Sequence, residues 1–287
     1  MPHLHFSSPS LNAQQVAQSL AMLGLPTLPF NIQNGHARIA LPPTPELNTE
    51  ALRPKLLGVA RQLGCDIALL DSSRNAQHFK VLAMDMDSTL ITIECIDEIA
   101  DFAGKKKEVS EITEAAMRGE IKDFSESLTR RVALLKGVPA SSLNAVLQER
   151  LALSPGAESL IAFAKRHGWT TLLVSGGFTF FTEAMKARLG LDHAHSNTLE
   201  IVDGVLTGRV LGAIVDAQAK QDHLLALCKQ LGCSPDQAIA MGDGANDLKM
   251  MGVAGLSVAY RAKPAVQSQT HCAINHGGLD TVCAWLS

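Results

Sequence analysis

Short apolar runs alternate with segments of helical spacing along the whole chain, but the texture changes near residue 80. Before that point, helical spacing of apolar positions covers 13–23 and 49–63, set between extended runs at 3–6, 29–32, 37–40 and 66–70. The order βαββαβ predicts a small α+β sandwich, and the polar run 72–78 is its linker. After residue 80, strand-like runs at 80–86, 170–174, 238–241 and 256–259 are each followed by Gly, Ser or Asp and then by a helical pattern. That alternation predicts a doubly wound parallel sheet with helices on both faces, whose sites lie at the carboxyl ends of the strands. Between the first two runs, 96–151 is helical in pattern, with Phe124, Leu128, Val132 and Leu135 on one stripe. It predicts a helical cap inserted at about 95–152, a lid over whatever the sheet binds. Asp203-Gly204 predicts a hairpin between 199–202 and 205–210. The expected division is therefore 1–78 and 79–287.

Composition narrows the function without naming it. Of 287 residues, 46% are hydrophobic and 18% charged, and the net charge is −3, the profile of an ordinary globular protein. Nothing supplies the basic field that nucleic acid requires, and aromatics at 4% leave few rings for base stacking. The longest uncharged apolar stretches, such as 252–260, have the length of core strands, so no membrane span is expected. The first Lys or Arg is Arg38, which removes the charged start of a secretory signal and points to a cytoplasmic protein. Six cysteines without a CxxC pair read as reduced thiols, and His193 and His195 have no third ligand near them in sequence.

The chemistry sits at the strand ends. Asp85 and Asp87 are two residues apart directly after the first run, so on an extended chain their carboxylates point the same way. Two like charges at the end of a buried strand are costly unless a cation is bound or a proton shared. The bland alternative is a strand end followed by a helix cap. Asp243 and Asp247, in Gly242-Asp243-Gly244-Ala245-Asn246-Asp247, follow another apolar run, and with the first pair they make an oxygen-rich site suited to Mg²⁺. Ser175-Gly176-Gly177, at a third strand end, offers a hydroxyl and successive N–H groups to an anion. Lys220 reads either as a solvated lysine of a first helical turn or as a fixed cation reaching the same pocket, as phosphoryl transfer needs.

Taken together and in this order, Asp85-Met86-Asp87-Ser88-Thr89-Leu90, Ser175-Gly176-Gly177-Phe178, Ala219-Lys220 and Gly242 to Asp247 resemble the haloacid dehalogenase superfamily of phosphotransferases over residues 80–287. The likeness is nearest to the branch that hydrolyses O-phospho-L-serine, the final step of serine synthesis. The resemblance implies a Rossmann-like sheet with a helical cap, a Mg²⁺ cofactor and an aspartyl-phosphate intermediate. Asp85 would be the nucleophile and Asp87 the general acid and base. Mg²⁺ would be held by the Asp85 carboxylate, the Asp87 backbone carbonyl and Asp243. Ser175, the Gly176 N–H and Lys220 would grip phosphate oxygens, with Asn246 beside them and Asp247 orienting Lys220. Glu94 would pair with the substrate ammonium, Arg131 with its carboxylate, and Phe124 would close the apolar side. Thr89 would bond near Asp87 or cap the next helix. Residues 1–78 are similar in element order to the ferredoxin-like ACT module, which leaves open whether they bind serine, join two chains into a homodimer or do neither. A phosphotransferase or phosphatase acting on another small phosphomonoester, and a non-catalytic ligand sensor, stand as the alternatives.

Overall fold

The computed structural model describes residues 1–41, 49–117, 121 and 123–287. The first part of the chain runs β1 (Pro2–Ser7), α1 (Ala13–Met22), β2 (Ile32–Gln33), β3 (His36–Ala40), α2 (Thr49–Leu63) and β4 (Asp66–Asp71). Its sheet is antiparallel, in the order β2-β3-β1-β4. One face, carrying Leu4, Phe6, Ile39, Ile67 and Leu69, packs against Val16, Leu20, Leu56 and Val59 of the two helices in a core of its own. Alternation along the strands is what a sheet with two differently covered faces demands. Asn12 and Gln15 cap α1 reciprocally, each side chain accepting the other's backbone N–H at 3.0 Å. The strand expected at 29–32 is only Ile32–Gln33: Pro29 has no N–H to donate to a ladder, and Asn34 (φ 51) and Gly35 (φ 72) turn the chain straight into β3.

The second part runs β5 (Val81–Met84), α3 (Cys95–Phe102), α4 (Lys106–Met117), α5 (Phe124–Ala133), α6 (Ser141–Ala145) and α7 (Ala157–Arg166). Next come β6 (Thr170–Phe178), α8 (Thr179–Leu189), β7 (His193–Val202), β8 (Val205–Leu211) and α9 (Ala217–Leu231). The chain closes with β9 (Ala238–Gly242), α10 (Leu248–Val253), β10 (Leu256–Tyr260), α11 (Pro264–Gln267), β11 (Cys272–Ile274) and α12 (Thr281–Leu286). The sheet order is β11-β10-β9-β5-β6-β7-β8, parallel except for the β7–β8 hairpin, whose turn is Asp203 (φ 50) and Gly204 (φ 76). Along β5, Leu82 and Met84 enter one core while Val81 and Ala83 enter another on the opposite face, which is why such strands read as continuous apolar runs. The chain order reverses between β5 and β9, and a crevice opens beyond the carboxyl ends there. Helices α3 to α6 fill the stretch before α7, as the helical spacing predicts, although 118–120 and 122 of the expected cap fall outside the described residues.

The two sheets meet along a seam near the C-terminus. Asp66 accepts the backbone N–H groups of Asn275, His276 and Gly277 at 2.7, 3.1 and 2.7 Å. Trp285 donates its ring N–H to Ser7 Oγ at 3.0 Å, and Trp169 donates to the Ala76 carbonyl at 2.9 Å. All six cysteines are free thiols, and no helix among the described residues is long and apolar enough to cross a membrane.

Candidate active site

Strands β5, β6 and β9 end side by side, so the residues that follow them converge. Asp85, Asp87, Glu94, Phe124, Arg131, Ser175, Gly176, Asp243 and Asn246 line one cavity of about 680 Å³. Asp85 is fixed by its own surroundings: its N–H donates to the Met241 carbonyl at 3.0 Å, and its Oδ1 accepts the Met86 N–H at 2.7 Å. Immediately after it the chain turns tightly, with Ser88 at φ 54 and the Ile91 N–H closing on the Met86 carbonyl at 3.0 Å. That turn aims Asp87 back at the cavity, where Oδ1 accepts the Cys95 N–H at 3.3 Å. On the other side Gly177 passes so close that a β-carbon there would collide with Asp87 Oδ2, so the backbone of β6 forms the wall.

Beneath this wall lies a buried ion triad. Lys220, in the first turn of α9, is fully buried and places Nζ 2.9 Å from Asp85 Oδ1 and 2.7 Å from Asp247 Oδ1. Burial alone would lower its pKa, but Asp247 and Asp85 overcome that and raise it above the ordinary lysine value. Asp247 Oδ2 also accepts the Gly244 N–H at 3.0 Å, and burial foremost, then Asp85, pushes its carboxyl up to about 6. Asp243 holds its orientation through the Thr89 hydroxyl, which donates to Oδ1 at 3.0 Å. Burial, then Asp85 and Asp247, push its carboxyl up to about 8. For Asp87 burial is again first, followed by Glu94 and Asp85, and its pKa lies well above the carboxylate range.

Carboxylate oxygens of Asp85, Asp243 and Asp247 lie within 4.8 Å of one another, and among the described residues they form the one cluster of three such ligand-bearing side chains. The cation touching the cluster, Lys220, is committed to Asp85 and Asp247, which leaves Asp243 facing two anions. Hard oxygen donors around a deficit of positive charge fit a divalent metal ion.

Across the cavity, α3 and α5 present the other polar groups. Glu94 precedes α3 and accepts the Ser88 hydroxyl at 2.6 Å. Its pKa is raised, first by burial, while Ser88 and Arg131 oppose the rise. Arg131 donates Nε to the Ser127 carbonyl of its own helix at 3.4 Å, and makes no ion pair within 4.0 Å among the described residues. Asp123 caps α5 through the Ser125 N–H at 2.9 Å, which starts the helix where Phe124 lies over Gly176.

The residues singled out in the sequence therefore gather, with one difference of depth: Lys220 and Asp247 sit behind Asp85 and do not line the cavity. Thr89 bonds Asp243, which lines the same cavity as Asp87. Two further contributors escaped the motif reading, Ser88 as the donor to Glu94 and Asp97 as a cavity carboxylate one helical turn further on. Their adjacency to Asp87 and Glu94 was the only available signal.

A model of the haloacid dehalogenase-like hydrolase family matches residues 82–252. A curated phosphoserine phosphatase of Polaromonas sp. is 61% identical over 206 residues, covering 70% of this chain and 87% of that protein. A phosphoserine phosphatase of Vibrio cholerae is 47% identical over 229 residues, 80% of this chain and 69% of that protein. Among solved structures, a HAD family hydrolase from Salmonella enterica serovar Typhi has a TM-score of 0.90 at 34% identity and covers 100% of this chain and 99% of its own. A substrate-bound phosphoserine phosphatase complex has a TM-score of 0.69 at 37% identity, covering 73% of this chain and 99% of its own.

Proposed function

The chain belongs to the haloacid dehalogenase-like hydrolase family, and we propose that it hydrolyses O-phospho-L-serine to L-serine and phosphate through an aspartyl phosphate at Asp85. The observation that carries the reading is one cavity with a nucleophile and an acid at its floor, a buried cation behind the nucleophile, and Glu94 with Arg131 across from them. Both contacts of the Asp85 carboxylate, from the Met86 N–H and Lys220, fall on Oδ1, so Oδ2 is the oxygen that attacks phosphorus. Asp87, whose carboxyl burial, Glu94 and Asp85 push well above its ordinary value, gives a proton to the departing serine oxygen, then as a carboxylate takes one from the water that opens the phosphoenzyme. Lys220 compensates the charge of Asp85 before attack, and Ser175, the Gly176 N–H and Asn246 hold phosphate oxygens. Mg²⁺, held by Asp85, the Asp87 carbonyl and Asp243, would neutralise phosphoryl charge as a Lewis acid. Glu94 takes the substrate ammonium and Arg131 its carboxylate, while Phe124 covers the carbon chain.

The same reading assigns residues 1–78 to an ACT-like unit and 79–287 to a catalytic domain with a cap at about 95–152. The separate core of the first sheet supports that division, and the free thiols suit a reducing cytoplasm.

Phosphate release from a panel of phosphomonoesters tests the assignment. O-phospho-L-serine should be turned over best, and Glu94→Gln and Arg131→Lys should each raise its KM by about tenfold or more, leaving an ester without amine or carboxylate nearly unaffected. Equal turnover of both kinds of ester by the unaltered protein would refute the substrate.

A further inference from the structure

Strand β6 does not run evenly against β7. Val174 pairs with His195 and Phe178 with Asn197, so three residues of β6, Ser175 to Gly177, stand opposite the single residue Ser196. Such a bulge withdraws ladder partners from its own backbone, and buried groups left this way must be satisfied elsewhere. Asn197 supplies the missing donor: its side chain, 1% exposed, donates Nδ2–H to the Gly176 carbonyl at 2.8 Å. Its Oδ1 accepts the Val215 N–H at 2.8 Å. A carbonyl and an N–H have fixed roles, so these two partners leave no choice in the orientation of the amide.

We infer that Asn197 is a positioning residue for phosphate binding, holding the Ser175-Gly176 loop and the approach to Lys220 in one geometry. The peptide between Gly176 and Gly177 is pinned at both ends, its carbonyl by Asn197 and its N–H by Ser175 Oγ at 2.9 Å. Because Ser175 Oγ accepts that N–H, its single proton is free for donation into the cavity that Ser175 lines. On the other side, Val215 directly precedes Asp216, whose Oδ1 accepts the Ala219 N–H at 2.8 Å and caps the start of α9, which begins three residues before Lys220. One buried amide thus links the loop that carries the phosphate-binding hydroxyl to the start of the helix that carries Lys220, the cation paired with Asp85. The assignment rests on the reading of Ser175 and Lys220 given above.

The test is Asn197→Asp, nearly isosteric, which keeps the acceptor for Val215 and loses the donor to Gly176 when ionised, with Asn197→Ser as the second variant should the first not fold. Expected are a fall in kcat/KM for O-phospho-L-serine of about tenfold or more and a similar weakening of inhibition by inorganic phosphate, with inhibition by L-serine unchanged. Protonation restores a donor, so the ratio of Asn197→Asp to unaltered kcat/KM should climb between about pH 8 and pH 6, as burial raises the new carboxyl's pKa. A folded variant that binds inorganic phosphate within about twofold of the original overturns the role of Asn197 alone. If the unaltered protein is not inhibited by inorganic phosphate, the phosphate site itself is refuted and the assignment falls with it.

Discussion

The seam between the two sheets and the crevice beyond β5 both bury charge, and they differ in what surrounds it. At the seam, Asp66 is 1% exposed, yet three backbone N–H groups take up its carboxylate and the neighbouring Ser7 and Ala76 are each matched by a tryptophan N–H. Burial is the first cause that raises the carboxyl of Asp66 and those of Asp87, Glu94, Asp243 and Asp247 alike, but at Asp66 backbone N–H groups oppose it, whereas in the crevice further carboxylates add to it and five acids share Lys220 and Arg131. Satisfied burial docks one layer on another, while anionic excess leaves protons and a charge deficit that a substrate and a metal ion can use.

Breaking the crevice should have the largest effect. Lys220→Met leaves Asp85 and Asp247 buried without their cation; activity should fall about a thousandfold and stability by about 3–5 kcal/mol, read from phosphate release and urea unfolding. Full stability in that variant would show that the triad is not a paired one.

The seam should respond in stability alone. Asp66→Ala strands three N–H groups and should cost about 3 kcal/mol, with kcat within about twofold, since none of its hydrogen bonds reaches the crevice. Trp169 and Trp285, the chain's two tryptophans, both sit at the seam, so their fluorescence follows its opening. A collapse of kcat in folded Asp66→Ala would mean that the regions are coupled.

The smallest effect is a matter of pH. His5 is 2% exposed on β1, and burial, then His36, Arg38 and His3, push its pKa down to about 3. The folded value lies below the unfolded one, so the stability His5 permits is complete above about pH 6.5 and is lost as pH falls toward about 3. Between about pH 7 and pH 5 that loss is about 2 kcal/mol, and it should be missing from His5→Asn. An identical pH dependence in both proteins would contradict it.

The legible parts of the fold were those with one dominant signal. Strands β5, β9 and β10 are buried throughout, so their apolar runs stand out, and the Asp203-Gly204 turn marks its hairpin. The first half of β7, His-Ala-His-Ser, has no apolar alternation, and β11 is only Cys272–Ile274, too short for a pattern. In the site, residues next to strand ends were legible because the fold places function there. The burial of Lys220 was not, because it depends on Asp85 and on Asp247, 27 residues further on. Nor was the bond from Thr89 to Asp243, which spans 154 residues and exists only once β5 and β9 are side by side.

The most direct test of the account is to trap the phosphoenzyme. Protein mixed with O-phospho-L-serine should be quenched in acid during turnover and its peptides mapped by mass. The phosphoryl group should be found on Asp85, vanish as substrate is exhausted, and be absent from Asp85→Asn. Turnover without any phosphorylated peptide, or with the group on another residue, would contradict it.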